Sequence, residues 1–273
     1  MLLMAYGLWL VVCGLWLVAG ERGNGKNCLL FVLCRCSGIK TSGAIHMDAQ
    51  TLCVKDGACY GENGVMVEIF YIGGSPCSGK STIAEMLVQK YGFQYYKQDD
   101  HLHEYIDKGA REGHELFQKV SHMSTEEMWM RDPFEQYHEE RALYEMMLGY
   151  SLSDISALSH GQDKAIIAEG AGFMPGLAEK MGTRKTNYIC ITPTKEFQIN
   201  AYSQRAWISH YLSDCADKDK AFRNWMERDA IFAQAVMREA VTLGYESLVV
   251  NGEKSIEENF VIVEKTFALS CSC

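Results

Sequence analysis

The segment GGSPCSGKST at residues 73–82 has the residue types and the spacing needed to bind the phosphates of a nucleotide. It matches the pattern G-x-x-x-x-G-K-[ST] through Gly74, Gly79, Lys80 and Ser81. The N–H groups of such a loop surround phosphate oxygens, its lysine reaches the β- and γ-phosphates, and its serine hydroxyl ligates Mg²⁺. We therefore expect nucleotide contacts from Gly74, Ser75, Pro76, Cys77, Ser78, Gly79, Lys80, Ser81 and Thr82.

Carboxylates end two further apolar segments of the chain. Asp99 and Asp100 end FQYYKQDD, and Glu169 follows the apolar part of KAIIAEG. In phosphoryl transfer one carboxylate can orient or deprotonate the attacking hydroxyl, and another can hold the hydration shell of Mg²⁺. We assign the first role to Asp100, with Asp99 as the close alternative, and the metal to Ser81 and Glu169. The other interpretation makes the two aspartates a solvated turn or a helix cap, and makes Glu169 a structural hydrogen-bond acceptor.

Asp229 lies within an apolar stripe of a predicted helix, where a carboxylate needs a partner because burying it alone is costly. Arg228 is its neighbour in sequence, and Arg205 lies in the preceding predicted helix. Both arginines can place positive charge over a triphosphate. The alternative is that the arginines lie on the surface and that Asp229 is a core aspartate with its hydrogen bonds satisfied.

The alternation of strands and helices along the chain supplies a scaffold for these residues. Short apolar segments predict strands at about residues 67–72, 93–100, 164–170, 186–193 and 245–252. Helices are predicted directly after the phosphate loop, ending at Gly92, and at about residues 101–159, 194–212, 217–243 and 255–268. This alternation predicts a parallel sheet with helices on both faces, which binds its ligands at the carboxyl ends of the strands. Asn251, at the end of the last strand, joins the candidate site residues.

Composition narrows the classes of partner. The chain has 273 residues, of which 48% are hydrophobic, and a formal net charge of −9 without a basic stripe, which argues against a nucleic-acid partner. Six of its 11 cysteines lie within the first 59 residues, and their spacing does not suit zinc. Sparse thiols in the rest of the chain favour a reducing, cytoplasmic location. The closing Cys271 and Cys273 resemble a prenylation tail but lack a basic cluster.

Residues 1–65 form an extension before the first core strand. Its first twenty residues, MLLMAYGLWLVVCGLWLVAG, carry no charge and are long enough to span a bilayer. We rank three interpretations in order: a dispensable or non-native extension, a membrane anchor that leaves the following domain in the cytoplasm, and a secretory signal. A chain that begins at Met66 is expected to fold and to bind ATP.

The chain from about residue 66 to 270 resembles the small P-loop kinases of the nucleoside-monophosphate-kinase-like group, such as shikimate, gluconate and cytidylate kinases. The resemblance is carried by GGSPCSGKST, the closing DD of strand two, EGAGFMP, the arginine-bearing segment from Arg205 to Arg228, and VVNGEKSIEE. It implies an α/β three-layer sandwich with a five-stranded parallel sheet, an acceptor insertion at about residues 101–160 and a lid at about residues 205–228. It also implies ATP and Mg²⁺ as cofactors, Asp99 or Asp100 against the acceptor hydroxyl, Arg228 against the transferring phosphate, and Asn251 near the adenine.

Two departures from this group leave the phosphate acceptor unassigned. Glu169 stands where the group has an aspartate, and no arginine follows directly on Pro175. The sequence therefore supports an ATP-dependent kinase for a small-molecule acceptor, held between Asp100, the acceptor insertion and Arg131. The alternative is a nucleotide-dependent binding or regulatory ATPase, with a membrane partner only if residues 1–20 are a real anchor.

Overall fold

The computed structural model describes residues 66–160 and 163–269, together with the backbone of residues 9–12, 15–20, 29–33 and 58–60. The chain divides into two compact units, Met1–Thr51 and Leu52–Cys273. The boundary at Met66 expected from the sequence stays a prediction. Cys271, Cys273 and most of residues 1–65 lie outside the described residues, as do the interpretations that depend on them.

The first unit contains a three-stranded antiparallel sheet in its described part. Its strands are β1 (Trp9–Val12), β2 (Leu15–Gly20) and β3 (Leu29–Leu33), in the order β1-β2-β3. The uncharged segment at the amino terminus therefore contributes two strands of this sheet. Within the described part of the chain, no helix has the length and apolar character to cross a membrane.

The second unit is built on a five-stranded parallel sheet, which confirms the predicted fold class. The sheet has the strand order β6-β7-β5-β8-β9, and a short strand β4 pairs antiparallel with the start of β5. The register places Lys97, Glu169 and Ile72 side by side on three neighbouring strands, so their carboxyl ends meet at one edge. The strands are β4 (Ala58–Tyr60), β5 (Met66–Gly74), β6 (Gln94–Lys97), β7 (Ile166–Glu169), β8 (Tyr188–Pro193) and β9 (Glu246–Val250).

Helices cover both faces of the sheet and complete three layers. On one face, Ile155, Phe232 and Val236 pack against the strands, and on the other face Leu87 and Val263 do so. Each such side chain contributes about 1.5–3 kcal/mol when it is fully buried. The helices are α1 (Lys80–Tyr91), α2 (Leu102–Arg111), α3 (Glu115–Ser121), α4 (Thr125–Trp129), α5 (Pro133–Ser159), α6 (Pro175–Lys180), α7 (Lys195–Ser203), α8 (Ala206–Tyr211), α9 (Lys218–Leu243) and α10 (Ile256–Thr266).

Local sequence signals set several of the helix ends. Gly92 ends α1 in the left-handed conformation, as its position predicted. Ser124 starts α4 with a capping box that Glu127 completes. Pro133 occupies the first turn of α5, and the side chain of Asp132 caps that helix. The acceptor insertion (residues 101–160) is thus four helices, α2 to α5, in agreement with its predicted helical character.

Two predicted elements differ from the structure. The second strand was predicted to reach Asp100 but ends at Lys97, because a 3-10 turn over Gln98–His101 follows it. In this turn the buried Gln98 side chain accepts the N–H of Gly172 at 2.9 Å and donates to Ser151 Oγ at 3.0 Å. The predicted helix at 194–212 is two helices, because Arg205 is extended between α7 and α8.

Gly74 lets the central strand β5 pack tightly against β8 where the phosphate loop begins. Its φ is +119°, and a Cβ atom there would lie 1.9 Å from the carbonyl oxygen of Ile191. A side chain at this position would force the two strands apart and shift the start of the loop. The first glycine of the motif is therefore required by backbone packing as well as by the turn.

Gly74→Ala is expected to lower the free energy of unfolding by roughly 3 kcal/mol or more, because a backbone clash adds to the cost of the positive φ. Gly113→Ala is the matched control, since Gly113 has a φ of +88° with no atom within 4 Å of an added Cβ. The control is expected to cost about 1–2 kcal/mol. Denaturant unfolding measures both values, and equal losses in the two variants would contradict the packing argument.

Candidate active site

The phosphate loop leaves β5 and enters α1 through a sequence of unusual backbone conformations. Cys77 has a φ of +61°, which is rare for a residue other than glycine, and Gly79 follows with a φ of +80°. Gly79 is also the N-cap of α1, and no side chain caps this helix end. The first N–H groups of α1 are therefore free to receive an anion, and the loop has the form of an anion-binding nest.

Lys80 bends back over this loop. Its Nζ donates to the carbonyl oxygen of Ser75 at 2.7 Å, and Ser78 Oγ donates to the same oxygen at 2.9 Å. The lysine is only 8% exposed, so its charge lies within the loop rather than in bulk water. An ammonium group has three donors, and the remaining two can bind phosphate oxygens. Ser75 Oγ is fully buried without a partner, which adds a free hydroxyl to the loop.

Ser81 and Glu169 are in direct contact, as a shared magnesium site requires. Ser81 Oγ donates to Glu169 Oε1 at 2.9 Å, and the Tyr95 hydroxyl donates to the same oxygen at 3.0 Å. Burial raises the pKa of Glu169 and the nearby Asp99 adds to this, whereas Lys80 and the two hydroxyl donors act in the opposite direction. The side chain is 1% exposed, so a cation at this place would relieve a buried charge.

The oxygens of Ser81 and Glu169 fit Mg²⁺. This ion takes one or two protein ligands and completes its octahedron with phosphate oxygens and water. Within residues 67–160 and 163–269, no three His, Cys, Asp or Glu side chains come together as a set of metal ligands. A pair next to a phosphate loop is nonetheless the arrangement that a nucleotide-bound magnesium ion needs.

The structure separates the two aspartates of the 3-10 turn. Asp100 points to Lys97, with 3.6 Å between Oδ1 and Nζ, and its side chain is 67% exposed. The carboxylate of Asp99 instead contributes to the raised pKa of Glu169 and of Glu140, a residue of α5. Both aspartates are exposed, and Asp99 is the one whose charge acts on Glu169 and Glu140.

Arg228 lies between two carboxylates, and one of them is the predicted Asp229. Its Nε is 2.6 Å from Asp229 Oδ1, and its Nη1 is 2.6 Å from Glu140 Oε1. The guanidinium also lies 5.0 Å from the centre of the Trp129 ring. Asp229 is 1% exposed, its Oδ1 forms an ion pair with Arg228 rather than an aligned hydrogen bond, and its Oδ2 accepts a hydrogen bond from Gln198 Nε2 at 3.1 Å. The aspartate therefore has the partner that its buried position demands, and Arg228 is in the interior rather than on the surface.

Glu140 is the member of this site that sequence reasoning missed. Burial raises its pKa to about 7, with Asp229 and Asp99 acting in the same direction and Arg228 and Tyr144 opposing them. The segment HEER at residues 138–141 carries three consecutive charged residues after its histidine, so the helical pattern does not indicate which of them faces inward. The available signal was that Glu140 stands four residues before Tyr144, on the same side of α5.

Three other predicted residues lie at the edges of the site. Arg205 is exposed, with its guanidinium 4.8 Å from the Tyr202 ring, and it is close enough to lower the pKa of the Cys77 thiol, which burial raises. Asn251 is exposed and accepts the N–H of Glu253 at 3.1 Å, so its side chain shapes the loop after β9. Arg131 is paired with Glu139 at 2.9 Å. Of these three, Arg205 is the one whose charge acts on a residue of the phosphate loop, Cys77.

Comparisons with known proteins leave the function to be argued from this geometry. No family model matches the chain, and no curated protein matches it. Among solved structures, the chain is similar to a protein described as a "putative kinase" from Chloroflexus aurantiacus J-10-fl, with 14% identity and a TM-score of 0.33. The match covers 73% of this chain and 98% of that one. A similarity of this size carries no argument about function.

The raised pKa of Glu140 predicts a dependence of stability on pH. Because the pKa in the folded chain, about 7, lies above the ordinary value of 4.5, the folded state binds the proton more tightly. The stability that this proton contributes is complete below pH 4.5 and is lost as the pH rises through 7. Glu140→Gln is expected to remove this slope between pH 5 and 8, measured by denaturant unfolding at each pH.

The adjacent Glu139 supplies the matched control. Burial would raise its pKa, but hydrogen bonds from Arg131 and Lys119 hold it below the ordinary value. Its contribution to stability is therefore lost only as the pH falls below about 4.5. Glu139→Gln should lower stability by a similar amount at every pH between 5 and 8, and an unchanged slope in Glu140→Gln would contradict the assignment.

Proposed function

We propose that this protein is an ATP-dependent phosphotransferase that acts on a small-molecule acceptor, through a hydroxyl group. The observation that carries the proposal is the convergence of three groups at one edge of the sheet. These are the phosphate loop with Lys80, the Ser81–Glu169 pair, and the buried Arg228 with its two carboxylates. Together they provide for binding a triphosphate, holding Mg²⁺ and stabilising charge on a transferred phosphoryl group.

The loop residues bind and orient the nucleotide. The N–H groups of Ser75 and of residues 77–81, with the two free donors of Lys80, would hold the phosphate oxygens, whereas Pro76 has no N–H to donate. Ser81 and Glu169 would hold Mg²⁺, which neutralises phosphate charge and fixes the phosphate geometry when it is bound. The loop after β9 passes close to the phosphate loop, since a Cβ on Gly79 would lie 2.9 Å from Ile256 Cδ1. This loop, with Asn251, is where we place the adenine.

Asp99, rather than the initially favoured Asp100, is the residue that we propose to orient and deprotonate the acceptor hydroxyl. Both side chains are exposed, but the charge of Asp99 acts on Glu169 and Glu140, whereas Asp100 is paired with Lys97. A hydroxyl placed between Asp99 and the γ-phosphate would be adjacent to both the base and the transferred group. The position of the Asp99 carboxylate supports this assignment, since a general base must lie within reach of the proton that it removes.

The lid (residues 205–228) and the acceptor insertion share a small apolar core, which suits a closing motion that excludes water. Trp129 of α4 stacks on Trp225 of α9 with 4.4 Å between the ring centres. Tyr202, Ile208 and Leu212 complete this cluster from α7, α8 and the residue after α8. Closure over the nucleotide would bring Arg228 and Arg205 toward the phosphates and keep water from competing with the acceptor.

The location and the partners of the protein are also proposals. We place the protein in the cytoplasm, where ATP is abundant, with no nucleic-acid partner. The alternative of a regulatory ATPase has no specific support in the described residues. A regulatory ATPase would differ from the proposed kinase in one measurable property: its ATP turnover would not depend on an added acceptor.

Lys80→Ala is expected to abolish ATP turnover and to weaken ATP binding strongly, because it removes the charge that meets the β- and γ-phosphates. Lys185→Ala is the matched control, since Lys185 lies just before β8, at the opposite end of the sheet, in an ion pair with Glu179. Thermal unfolding should show that both variants remain folded. Full ATP turnover in a folded Lys80→Ala protein would refute the phosphate-loop assignment.

Asp99→Asn and Asp100→Asn form a second pair, because the two residues are adjacent but differ in the charged groups on which they act: Glu169 and Glu140 for Asp99, and Lys97 for Asp100. Asp99→Asn is expected to lower acceptor-dependent turnover by roughly 10²–10⁴-fold with little change in ATP affinity, which is the usual contribution of a general base. Asp100→Asn should change turnover by less than about threefold, since it loses only a surface ion pair. The reverse ranking would return the role to Asp100.

A further inference from the structure

The acceptor side of the proposed site is lined by hydrogen-bond acceptors. Gln136 and Glu140 lie one turn apart on α5, so their side chains share one face of the helix. Arg228 links Glu140 to Asp229, and Gln198 of α7 donates to Asp229. This wall, defined by Gln136, Glu140, Gln198 and Asp229, adjoins Asp99, whose charge contributes to the raised pKa of Glu140.

Two amide oxygens of this wall lack a donor although their residues are buried. Gln136 is 3% exposed and Gln198 is 1% exposed, and Oε1 of each is without a partner. The amide orientations are fixed, because Gln136 Nε2 donates to the carbonyl oxygen of Arg131 at 2.9 Å and Gln198 Nε2 donates to Asp229. A buried acceptor without a donor costs about 1–3 kcal/mol, so a ligand that brings N–H or O–H groups would recover this energy.

The lysine and arginine side chains of the acceptor insertion either interact with other residues or lie away from this wall. Lys119 and Arg131 both pair with Glu139, and Arg141 pairs with Glu239 at 2.8 Å. Lys108 lies 4.6 Å from the centre of the Tyr150 ring, and Arg111 is exposed at the end of α2. An acceptor with a phosphate or carboxylate group would thus find no unpaired cation in the described part of this wall, and it would meet two carboxylates.

The charged donor at the described wall is Arg228, which Glu140 and Asp229 already share, and the other donors nearby are neutral. The indole Nε1 atoms of Trp129 and Trp225 are buried without partners. An indole N–H can bind a hydroxyl oxygen, which suits a ligand that carries hydroxyl groups beside its N–H donors. A hydroxylated amine would match these groups. Its N–H groups would donate to the unpaired amide oxygens and the carboxylates, and its hydroxyl oxygens would accept from the neutral indole donors.

We propose that the phosphate acceptor is a hydroxyl-bearing amine, of the amino-alcohol or amino-sugar class, held through its ammonium group by Glu140, Asp229 and the amide oxygens of Gln136 and Gln198. The proposal rests on the proposed kinase function and names the substrate class for that site. A phosphorylated or carboxylated acceptor is disfavoured, because the two carboxylates repel it and Arg228, the cation between them, is already paired with both.

The transfer step balances with the groups already named. The acceptor hydroxyl gives its proton to the Asp99 carboxylate, and its oxygen forms a bond to the γ-phosphorus of ATP. The bond from that phosphorus to the β–γ bridging oxygen breaks, and the electron pair leaves with ADP. The products are a phosphate monoester of the amine and ADP, and Asp99 then releases its proton to water.

Binding of an ammonium group beside Glu140 should also release a proton. The charged groups that face Glu140 are Arg228 and Asp229 of α9 and Asp99 of the turn after β6, with Tyr144 of α5 beside it. An added positive charge lowers the pKa of this carboxyl from about 7, so the affinity for the amine should rise between pH 6 and pH 8.

The test uses the full chain with ATP and Mg²⁺ and two matched sets of acceptors. The first set is glucosamine, glucose and glucose 6-phosphate, and the second is 3-amino-1,2-propanediol, glycerol and glycerol 3-phosphate. In each set the amine is expected to give the highest kcat/KM for ADP formation, by roughly 10–100-fold over the neutral compound, as a charge-assisted hydrogen bond implies. The anionic compound should give the lowest value.

Glu140→Gln should reduce the advantage of the amine by about the same factor, mainly through KM. Glu145→Gln is the control on the same helix, where Glu145 is half exposed and pairs with Arg141 at 3.6 Å, and it should keep the advantage. The proposal is overturned if a neutral or anionic compound matches the amine, if no amine stimulates ADP formation, or if both variants behave alike.

Binding of a non-hydrolysable ATP analogue, measured in parallel, separates this proposal from the function on which it rests. Loss of binding in Lys80→Ala together with phosphorylation of an anionic acceptor would overturn the substrate class alone. Failure of the unaltered chain to bind the analogue in the presence of Mg²⁺ would overturn the kinase function itself.

Discussion

One buried guanidinium, that of Arg228, holds together helices α5, α7 and α9. Arg228 of α9 contacts Glu140 of α5 and its own neighbour Asp229, which in turn accepts a hydrogen bond from Gln198 of α7. Removing one partner from such a buried arrangement costs about 3–5 kcal/mol, because it leaves an uncompensated charge in the interior. The three helices can therefore shift only if the charges within this group stay paired. The packing of these helices thus depends on the same charged side chains that we propose to bind the ligands.

A well-packed apolar group would hold the same helices with less electrostatic cost. The charged arrangement has a property that an apolar one lacks, because a phosphate group or an ammonium group can replace one of its members. When a triphosphate arrives, Arg228 gains a stronger partner than a carboxylate, and Glu140 is released to bind another cation. Under the proposed function, nucleotide binding and acceptor binding would then favour each other through one shared arginine, with the coupling reciprocal as linkage requires.

The sequence was sufficient for the parts of the protein that depend on local rules. The phosphate loop, the five parallel strands and Gly92 at the end of α1 follow from turn chemistry and hydrophobic pattern, which act over a few residues. The contact between Ser81 and Glu169 followed from the rule that ligands gather at the carboxyl ends of parallel strands. These features need no knowledge of how distant segments pack.

Features that depend on long-range packing were not accessible in this way. Asp99 and Asp100 are chemically identical and adjacent, and the turn that separates them is set by Gln98, whose partner Gly172 lies 74 residues away. Glu140 could not be distinguished from Glu139, since the choice of inward face on α5 depends on where Arg228 of α9 lies. The break between α7 and α8 at Arg205 was likewise not predicted, because no glycine or proline lies there in the sequence.

The stacked indoles of Trp129 and Trp225 give the second unit an internal optical probe. Residues 52–273 contain three tryptophans, and the third, Trp207 of α8, has its ring centre 6.0 Å from that of Trp225. All three lie where the lid meets the acceptor insertion, and Arg228 is in contact with one of them. Under the proposed function, emission from these rings and the exciton signal of the stacked pair would change when the lid moves against the insertion, so the rate of closure could be followed without any added label.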